Sequence, residues 1–298
     1  NLISITDFSK EEYMQILKRA EDFEKNTVQK IAEGKVIASL FFEPSTRTRL
    51  SFESAAFRLG AKIVGFADSA SSSTSKGESL IDTIKTVCCY SDLIVMRHPL
   101  EGSARLASEV ATVPIINAGD GANQHPTQCM LDLYSIRKTQ GTSENGHIAL
   151  VGDLKYGRTV HSLVEAMCNY NTTFHLVSPV SLKLPSSVKM HIKESNLTYY
   201  QYTEIQEAID KVDILYMTRV QRERFLDIQD YEKVKNSCIL DKSLLHHVKP
   251  TMKVLHPLPR VNEINTNVDN TPYAYYFQQA QNGVYVRQAL IASILGLK

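Results

Sequence analysis

Apolar positions in the first half of the chain switch repeatedly between two periods. Ser9-Lys10-Glu11-Glu12 has the pattern of a capping box, and Tyr13, Ile16, Leu17, Ala20 and Phe23 follow at helical spacing. Val36-Ile37-Ala38-Ser39-Leu40-Phe41-Phe42 is instead a compact apolar run, the pattern of a buried parallel strand. Leu50, Ala55, Ala56 and Leu59 return to the helical period until Gly60 offers a stop. The alternation continues with a strand at 61–66, a helix marked by Leu80, Ile81, Ile84, Val87 and Cys88, and a strand at 92–97. A helix on Ala104, Leu106, Ala107 and Val110 and a strand at 113–117 come next. Then a glycine-containing loop at 119–128 runs into a helix with Leu131, Leu133 and Ile136.

Gly141-Thr142-Ser143-Glu144-Asn145-Gly146 reads as a hinge, after which the pattern restarts. Strands are expected at 147–151, 173–177 and 212–217, with helices on Val160, Leu163, Val164 and Met167 and near 187–193. Lys253-Val254-Leu255-His256 ends in Pro257-Leu258-Pro259-Arg260, where closely spaced prolines force an extended turn. Val286, Ala289, Leu290, Ile294 and Leu295 mark an apolar C-terminal helix expected to pack back on the first domain. Strands alternating with helices predict an α/β protein with two parallel-sheet domains, residues 1–140 plus 281–298 and residues 141–280.

Composition changes this picture little. A length of 298 residues is enough for two cores, and a net charge of +1 gives no electrostatic reason to expect nucleic acid or a membrane surface as partner. No apolar run approaches the ~18 residues of a spanning helix, and the N-terminus shows no signal-peptide pattern. The five cysteines are odd in number and lack Cys-x-x-Cys spacing, so free, buried thiols in a reducing, cytoplasmic compartment are expected.

The candidate chemistry sits where strands end. Ser45-Thr46-Arg47-Thr48 lies between a strand and a helix, with Pro44 fixing the backbone before Ser45, a good N-cap candidate. A helix N-terminus has unpaired N–H groups and a positive dipole end, which suits an anion. Taken alone, the stretch fits an ordinary capped helix equally well. Arg97-His98 and His125-Pro126-Thr127-Gln128 also follow strands, and in a parallel sheet such segments gather at one edge, where ligands bind. Arg47 and Arg97 suit a phosphate, whereas Arg158 and Arg219 suit carboxylates, which guanidinium groups bind bidentately. The histidines show no metal-ligand spacing, and Gly152 and Gly157 are too sparse for a dinucleotide fingerprint. No metal or cofactor is therefore expected, and chemistry by positioning and charge stabilisation is. By composition, the serine-rich stretch at 68–77 reads as a surface linker, with Lys76 as a flexible cation.

Six blocks, in order and over nearly the whole chain, resemble the transcarbamoylase family. Phe42-Glu43-Pro44-Ser45-Thr46-Arg47-Thr48-Arg49 is similar to its carbamoyl-phosphate motif, and Met96-Arg97-His98-Pro99 and His125-Pro126-Thr127-Gln128 to its next two. Val151-Gly152-Asp153-Leu154-Lys155-Tyr156-Gly157-Arg158, Met217-Thr218-Arg219-Val220-Gln221 and His256-Pro257-Leu258-Pro259-Arg260 resemble the aspartate-type versions of the later blocks. The resemblance implies transfer of a carbamoyl group from carbamoyl phosphate to the α-amine of L-aspartate. It gives the phosphate to Ser45, Thr46, Arg47 and Thr48, with Ser73, and the carbamoyl oxygen to Arg97, His125 and Thr48. Gln128 and the carbonyls of Leu258 and Pro259 would hold the carbamoyl NH₂. Arg158, Arg219, Gln221 and Lys76 would hold L-aspartate, and Glu43 with Arg158 and Arg224 would form interdomain salt links. It further implies a homotrimer with shared active sites, in which Ser73 and Lys76 reach a neighbouring chain. Whether a separate zinc-containing regulatory chain joins the trimer in an allosteric assembly is left open.

One stretch departs from the family pattern. Ser75 precedes Lys76-Gly77 where relatives often carry two lysines, and the loop is slightly short, which keeps Ser72 as an alternative to Ser73. The nearest rival is an ornithine-type enzyme or another amino-acid carbamoyltransferase. Pro257 stands where ornithine enzymes carry a cysteine, no Ser-Met-Gly block is present, and Arg158, Arg219 and Lys76 would repel a cationic side chain. A non-catalytic anion-binding protein on the same fold is the rival of another class.

Overall fold

The computed structural model describes residues 1–69 and 73–298. Its contacts divide the chain into two compact units, Asn1–Leu131 with Ala280–Lys298, and Asp132–Gln279.

In the first unit, α1 (Lys10–Lys25) starts with the capping box its sequence announces. Ser9 Oγ accepts the Glu12 N–H at 3.2 Å, and the Glu12 carboxylate accepts the Ser9 N–H at 2.7 Å. Strands β1 (Val36–Phe41), β2 (Lys62–Phe66), β3 (Leu93–His98) and β4 (Ile115–Asp120) form a parallel sheet in the order β2-β1-β3-β4. Helices α2 (Thr46–Arg58), α3 (Leu80–Cys88) and α4 (Ser103–Val110) are the crossovers that parallel pairing requires. Ala38, Leu40, Ile94, Met96 and Ile115 pack with Ile84, Ala104 and Ala107 of the helices into one core cluster. Because parallel strands are buried on both faces, these strands are legible as apolar runs.

Helix α5 (Pro126–Gln140) leads into the second unit. There β5 (His147–Val151), β6 (Thr173–Val177), β7 (Tyr199–Tyr202), β8 (Ile214–Met217) and β9 (Lys253–Leu255) form a second parallel sheet, ordered β7-β6-β5-β8-β9. Helices α6 (Arg158–Met167), α7 (Ser186–Glu194) and α8 (Ile228–Val234) accompany it. Helix α9 (Tyr276–Ile294) closes the chain, and from Ala280 it belongs to the first unit. There Arg287 donates to Ser51 Oγ at 2.9 Å and lies over the Phe52 ring, while Gln288 donates to the Thr27 carbonyl at 2.8 Å.

Several expectations need correction. β4 starts at Ile115 rather than at 113, since Pro114 has no N–H to pair, and it runs on through Gly119 and Asp120 into the stretch read as loop. Asp120 pairs with His98 across a register shift. The thiols are not all buried: Cys129 and Cys238 are, Cys88 and Cys168 are half-buried, and Cys89, at the C-cap of α3, is exposed. β7 and α8 fall in stretches with no clear apolar period. Among the described residues, no helix is long and apolar enough to cross a membrane.

Candidate functional site

All strands of each sheet run parallel, so each sheet gathers its strand C-termini at one edge. In the first unit, β2 lies on one side of β1, and β3 and β4 lie on the other. The strand order therefore reverses between β1 and β3, and a crevice opens at such a switch point. Residues 43–48 follow β1, and Arg97 stands near the end of β3 beside Phe41 in the pairing register.

Ser45 holds the N-cap of α2 with extended backbone (φ −156°, ψ 101°), but its hydroxyl makes no cap hydrogen bond. The Ser45 hydroxyl is therefore not spent on capping α2, and a helix N-terminus is where an anion is favoured. Thr48, 7% exposed, lies in the first turn of the helix, its Oγ1 3.5 Å from His125 Nε2 at the outer limit of a hydrogen bond. The Arg97 Nε donates to Glu43 Oε1 at 2.7 Å, which fixes the guanidinium plane. Gln128 is buried in the first turn of α5, Arg47 is exposed on α2, and Thr46 begins that helix.

A residue that sequence reasoning missed places His125. The buried Asp120 accepts from Asn117 Nδ2 at 2.9 Å, the Gln124 N–H at 3.2 Å, Asn123 Nδ2 at 3.0 Å and the Gly102 N–H at 3.0 Å. One carboxylate thereby ties the end of β4 to the loop that carries His125. His98 has a structural role. Its Nδ1 accepts the Leu100 N–H at 3.0 Å and lies 2.8 Å from Ser103 Oγ, and burial lowers its pKa.

The second sheet repeats the scheme. β6 and β7 lie on one side of β5, and β8 and β9 on the other, so the switch point falls between β5 and β8. Residues 152–158 follow β5 and residues 218–221 follow β8. Gly152, at φ +111°, lets the two come close, for a Cβ there would lie 2.3 Å from the Thr218 carbonyl oxygen. Asp153, wholly buried, accepts the Tyr156 N–H at 3.0 Å and the Gln221 N–H at 3.4 Å, while its own N–H donates to Thr218 Oγ1 at 3.1 Å. Gln221 Nε2 donates to the Tyr156 carbonyl at 3.2 Å. Burial raises the Asp153 pKa, against the backbone hydrogen bonds that favour the charged form.

Arg158 begins α6, and Arg219 donates through both terminal nitrogens to Glu223, at 3.1 and 2.5 Å. Hydrogen bonding to Glu223 raises the Arg219 pKa, partly offset by burial, with Glu263 adding a smaller electrostatic contribution. Arg224 lies on a short 3₁₀ turn, its Nε buried with no hydrogen-bond partner among the described residues. Leu258 follows β9 at φ +57°, and Pro259 is exposed beside it.

Glu43, expected to link to Arg158 and Arg224, is engaged by Arg97 within its own unit. Lys76 is exposed at the end of a short 3₁₀ turn, Ser73–Lys76, and Ser72 lies outside the described residues. Asp120 lies in none of the six blocks, and Asp153 lies in one without having been singled out there. Glu223 does leave a trace, four residues beyond Arg219. Among the described residues, no group of three or more His, Cys, Asp or Glu side chains could hold a metal ion.

Two parallel-sheet units, each with arginines near its switch point, are what the resemblance to the carbamoyltransferases implies. Residues 1–138 match the family model for the aspartate/ornithine carbamoyltransferase carbamoyl-P binding domain, and residues 144–294 match that for the Asp/Orn binding domain. The chain belongs to the aspartate/ornithine carbamoyltransferase family. It is 60% identical over 298 residues to the aspartate carbamoyltransferase catalytic subunit of Phocaeicola vulgatus, covering 100% of this chain and 95% of that one. The catalytic subunit of M. jannaschii aspartate transcarbamoylase superposes with a TM-score of 0.93 at 48% identity, over 99% of this chain and 98% of that one. The Trypanosoma cruzi aspartate transcarbamoylase in complex with carbamoyl phosphate and aspartate does so with a TM-score of 0.93 at 36% identity, over 98% and 96%.

Proposed function

We propose that the chain transfers the carbamoyl group of carbamoyl phosphate to the α-amine of L-aspartate, giving N-carbamoyl-L-aspartate and phosphate. One observation carries this reading. Each unit presents, after the two strands flanking its switch point, the donors that one substrate calls for. The first offers a helix N-terminus that the Ser45 hydroxyl does not cap, three hydroxyls and arginines for a phosphate. The second offers Arg158 and Arg219 for carboxylates. The family match and the relative solved with both substrates support it.

In this reading Ser45, Thr46, Arg47 and Thr48 hold the phosphate, with Ser73 contributed by the serine-rich segment. Gln128 and the carbonyls of Leu258 and Pro259 hold the carbamoyl NH₂. Arg158, Arg219, Gln221 and Lys76 hold aspartate, while Glu43 and Arg224 act on the link between the two units. The neutral amine attacks the carbonyl carbon, and a C–N bond forms as the carbonyl π pair moves onto oxygen. Arg97, His125 and Thr48 stabilise that oxyanion. Its collapse breaks the C–O bond to phosphate, and the departing phosphate takes the amine proton. Preorganised binding of two anions brings the amine and the carbonyl carbon together at high effective concentration.

The enzyme works, in this proposal, as a cytoplasmic homotrimer in pyrimidine biosynthesis, with Lys76 and Ser73 reaching a neighbouring chain's site. Native mass, with and without a co-purifying smaller chain, separates a lone trimer from an allosteric assembly with a zinc-containing regulatory partner. The decisive assay compares carbamoyl transfer to L-aspartate and to L-ornithine. Product with aspartate alone is expected. Transfer to ornithine would overturn the specificity, and tight phosphate binding without any product would overturn the activity.

A further inference from the structure

The turn after β9 is held in a conformation that its own residues do not favour. Leu258 has φ +57°, in the left-handed region where a Cβ meets the following carbonyl, so something outside the residue must hold it there. The holder is the preceding imidazole. His256, 2% exposed, accepts the Leu258 N–H on Nδ1 at 2.7 Å. An Nδ1 that accepts carries no proton, so the ring proton sits on Nε2, which donates to Glu263 Oε1 at 2.7 Å. Glu263, 4% exposed, receives the Val261 and Asn262 N–H groups on its other oxygen, at 3.0 and 3.1 Å. One buried carboxylate thus clasps both ends of the turn.

The backbone of His256 is fixed in the same way. Its N–H donates to Gln279 Oε1 at 2.8 Å, Gln279 Nε2 donates to Asp132 Oδ1 at 2.6 Å, and the Tyr216 hydroxyl donates to Asp132 Oδ2 at 2.8 Å. All of these side chains are buried. We propose that His256, oriented by Glu263, is the positioning residue for the Leu258 and Pro259 carbonyls. It acts by accepting the Leu258 N–H and so setting the backbone from which both carbonyls project. This rests on the carbamoyl-transfer reading, which gives those carbonyls the carbamoyl NH₂. A purely architectural pair would lower stability without singling out one part of one substrate.

The test uses the full chain and two substitutions of similar polarity. His256→Asn puts an oxygen near the Nδ1 position and keeps an acceptor for Leu258, but cannot reach Glu263. His256→Gln reaches Glu263 but offers no acceptor at the Nδ1 position. Expected is a loss of about 10- to 100-fold in kcat/KM for carbamoyl phosphate in the Gln variant, and of about threefold or less in the Asn variant. Inhibition by inorganic phosphate, which lacks the NH₂, stays within about twofold of native in both. Equal losses in the two variants, a near-native Gln variant, or a parallel loss of phosphate inhibition would each overturn the positioning role. If the Gln variant does not fold, the Asn variant decides alone, and a loss there above about 30-fold overturns the proposal. Absence of transfer to aspartate by the native chain, in the same assay, overturns the functional reading and this role with it.

Discussion

Apart from Lys76, the residues proposed to hold aspartate lie on two segments, and the buried Asp153 carboxylate joins them. It accepts the N–H groups of Tyr156 and Gln221, whose neighbours Arg158 and Arg219 carry the charge. Asp153→Ala removes the acceptor and leaves two half-buried donors without it. An unsatisfied buried donor costs about 1–3 kcal/mol, and since the Gln221 bond is long the pair should cost roughly 2–4 kcal/mol. At about 2–4 °C per kcal/mol for a chain of this size, Tm should fall by roughly 5–15 °C. The same loss leaves segment 218–221 tied to 153–158 by the residue-153 N–H to Thr218 and by Gln221 Nε2 to the Tyr156 carbonyl, and the looser link blunts a site requiring both. KM for L-aspartate should therefore rise about 10- to 100-fold while that for carbamoyl phosphate, most of whose proposed ligands lie in the first unit, stays within about threefold. Thermal unfolding and steady-state kinetics with each substrate varied in turn read both effects. Asp153→Asn, which keeps one acceptor oxygen, should fall between. An alanine variant with native Tm and native aspartate KM would refute the reasoning.

Two further outcomes are expected. Arg97→Ala and His125→Ala should each lower turnover at saturating substrates by roughly 10²–10³, the range for losing one oxyanion donor. Near-native rates in both would remove these residues from the chemistry. Acidification should weaken the second unit through His175. Burial first, then the neighbouring His147 and the Lys211 and Lys249 charges, lower its pKa from 6.5 to about 4. The ring is 2% exposed, stacks on Tyr202 and lies 3.2 Å from His147 Nδ1. Its depressed pKa means that full stability is present above pH 6.5 and is lost as pH falls toward 4, because the unfolded chain takes up the proton first. Urea unfolding at pH 7 and pH 5 should differ by about 1–2 kcal/mol more in the native chain than in His175→Gln. An equal pH dependence in the two would exclude His175 as its source.

How much of this was legible in the sequence depended on whether the information was local. The strands at 147–151 and 173–177 appear at their expected bounds because parallel strands buried on both faces are mostly apolar, even with His175 inside β6. The start of α1 was legible because a capping box is four consecutive residues. Tyr199-Tyr200-Gln201-Tyr202 gave no such signal, since β7 is an edge strand whose residues are half-buried or exposed. The same division runs through the site. Arg97, His125, Arg158 and Arg219 could be read as chemistry because charge at a strand end is unusual and visible. Asp120 and Asp153 also carry charge at or just past a strand end, yet their roles, like that of Glu263, were not legible, since their partners are mainly backbone N–H groups brought near by the fold, and a backbone amide has no letter in the sequence.

That division also explains a shared feature of the two donor sets. Arg97 is pinned by Glu43 at 2.7 Å, and Arg219 by both oxygens of Glu223. An arginine facing an anion site without such a partner would sample many rotamers and lose about 2 kcal/mol of side-chain entropy on binding. A guanidinium has five donors, so a carboxylate that takes one or two fixes its plane without exhausting it. The ordering is then completed during folding, and a substrate meets a charge already in place. The accompanying negative charge weakens the electrostatic attraction for any anion, so the sites as proposed trade affinity for orientation. Such a trade suits catalysis better than storage, because binding both substrates tightly in the ground state does nothing for the step that follows. It weighs against the reading of a passive anion binder, for which an unopposed arginine would be the better residue at each position.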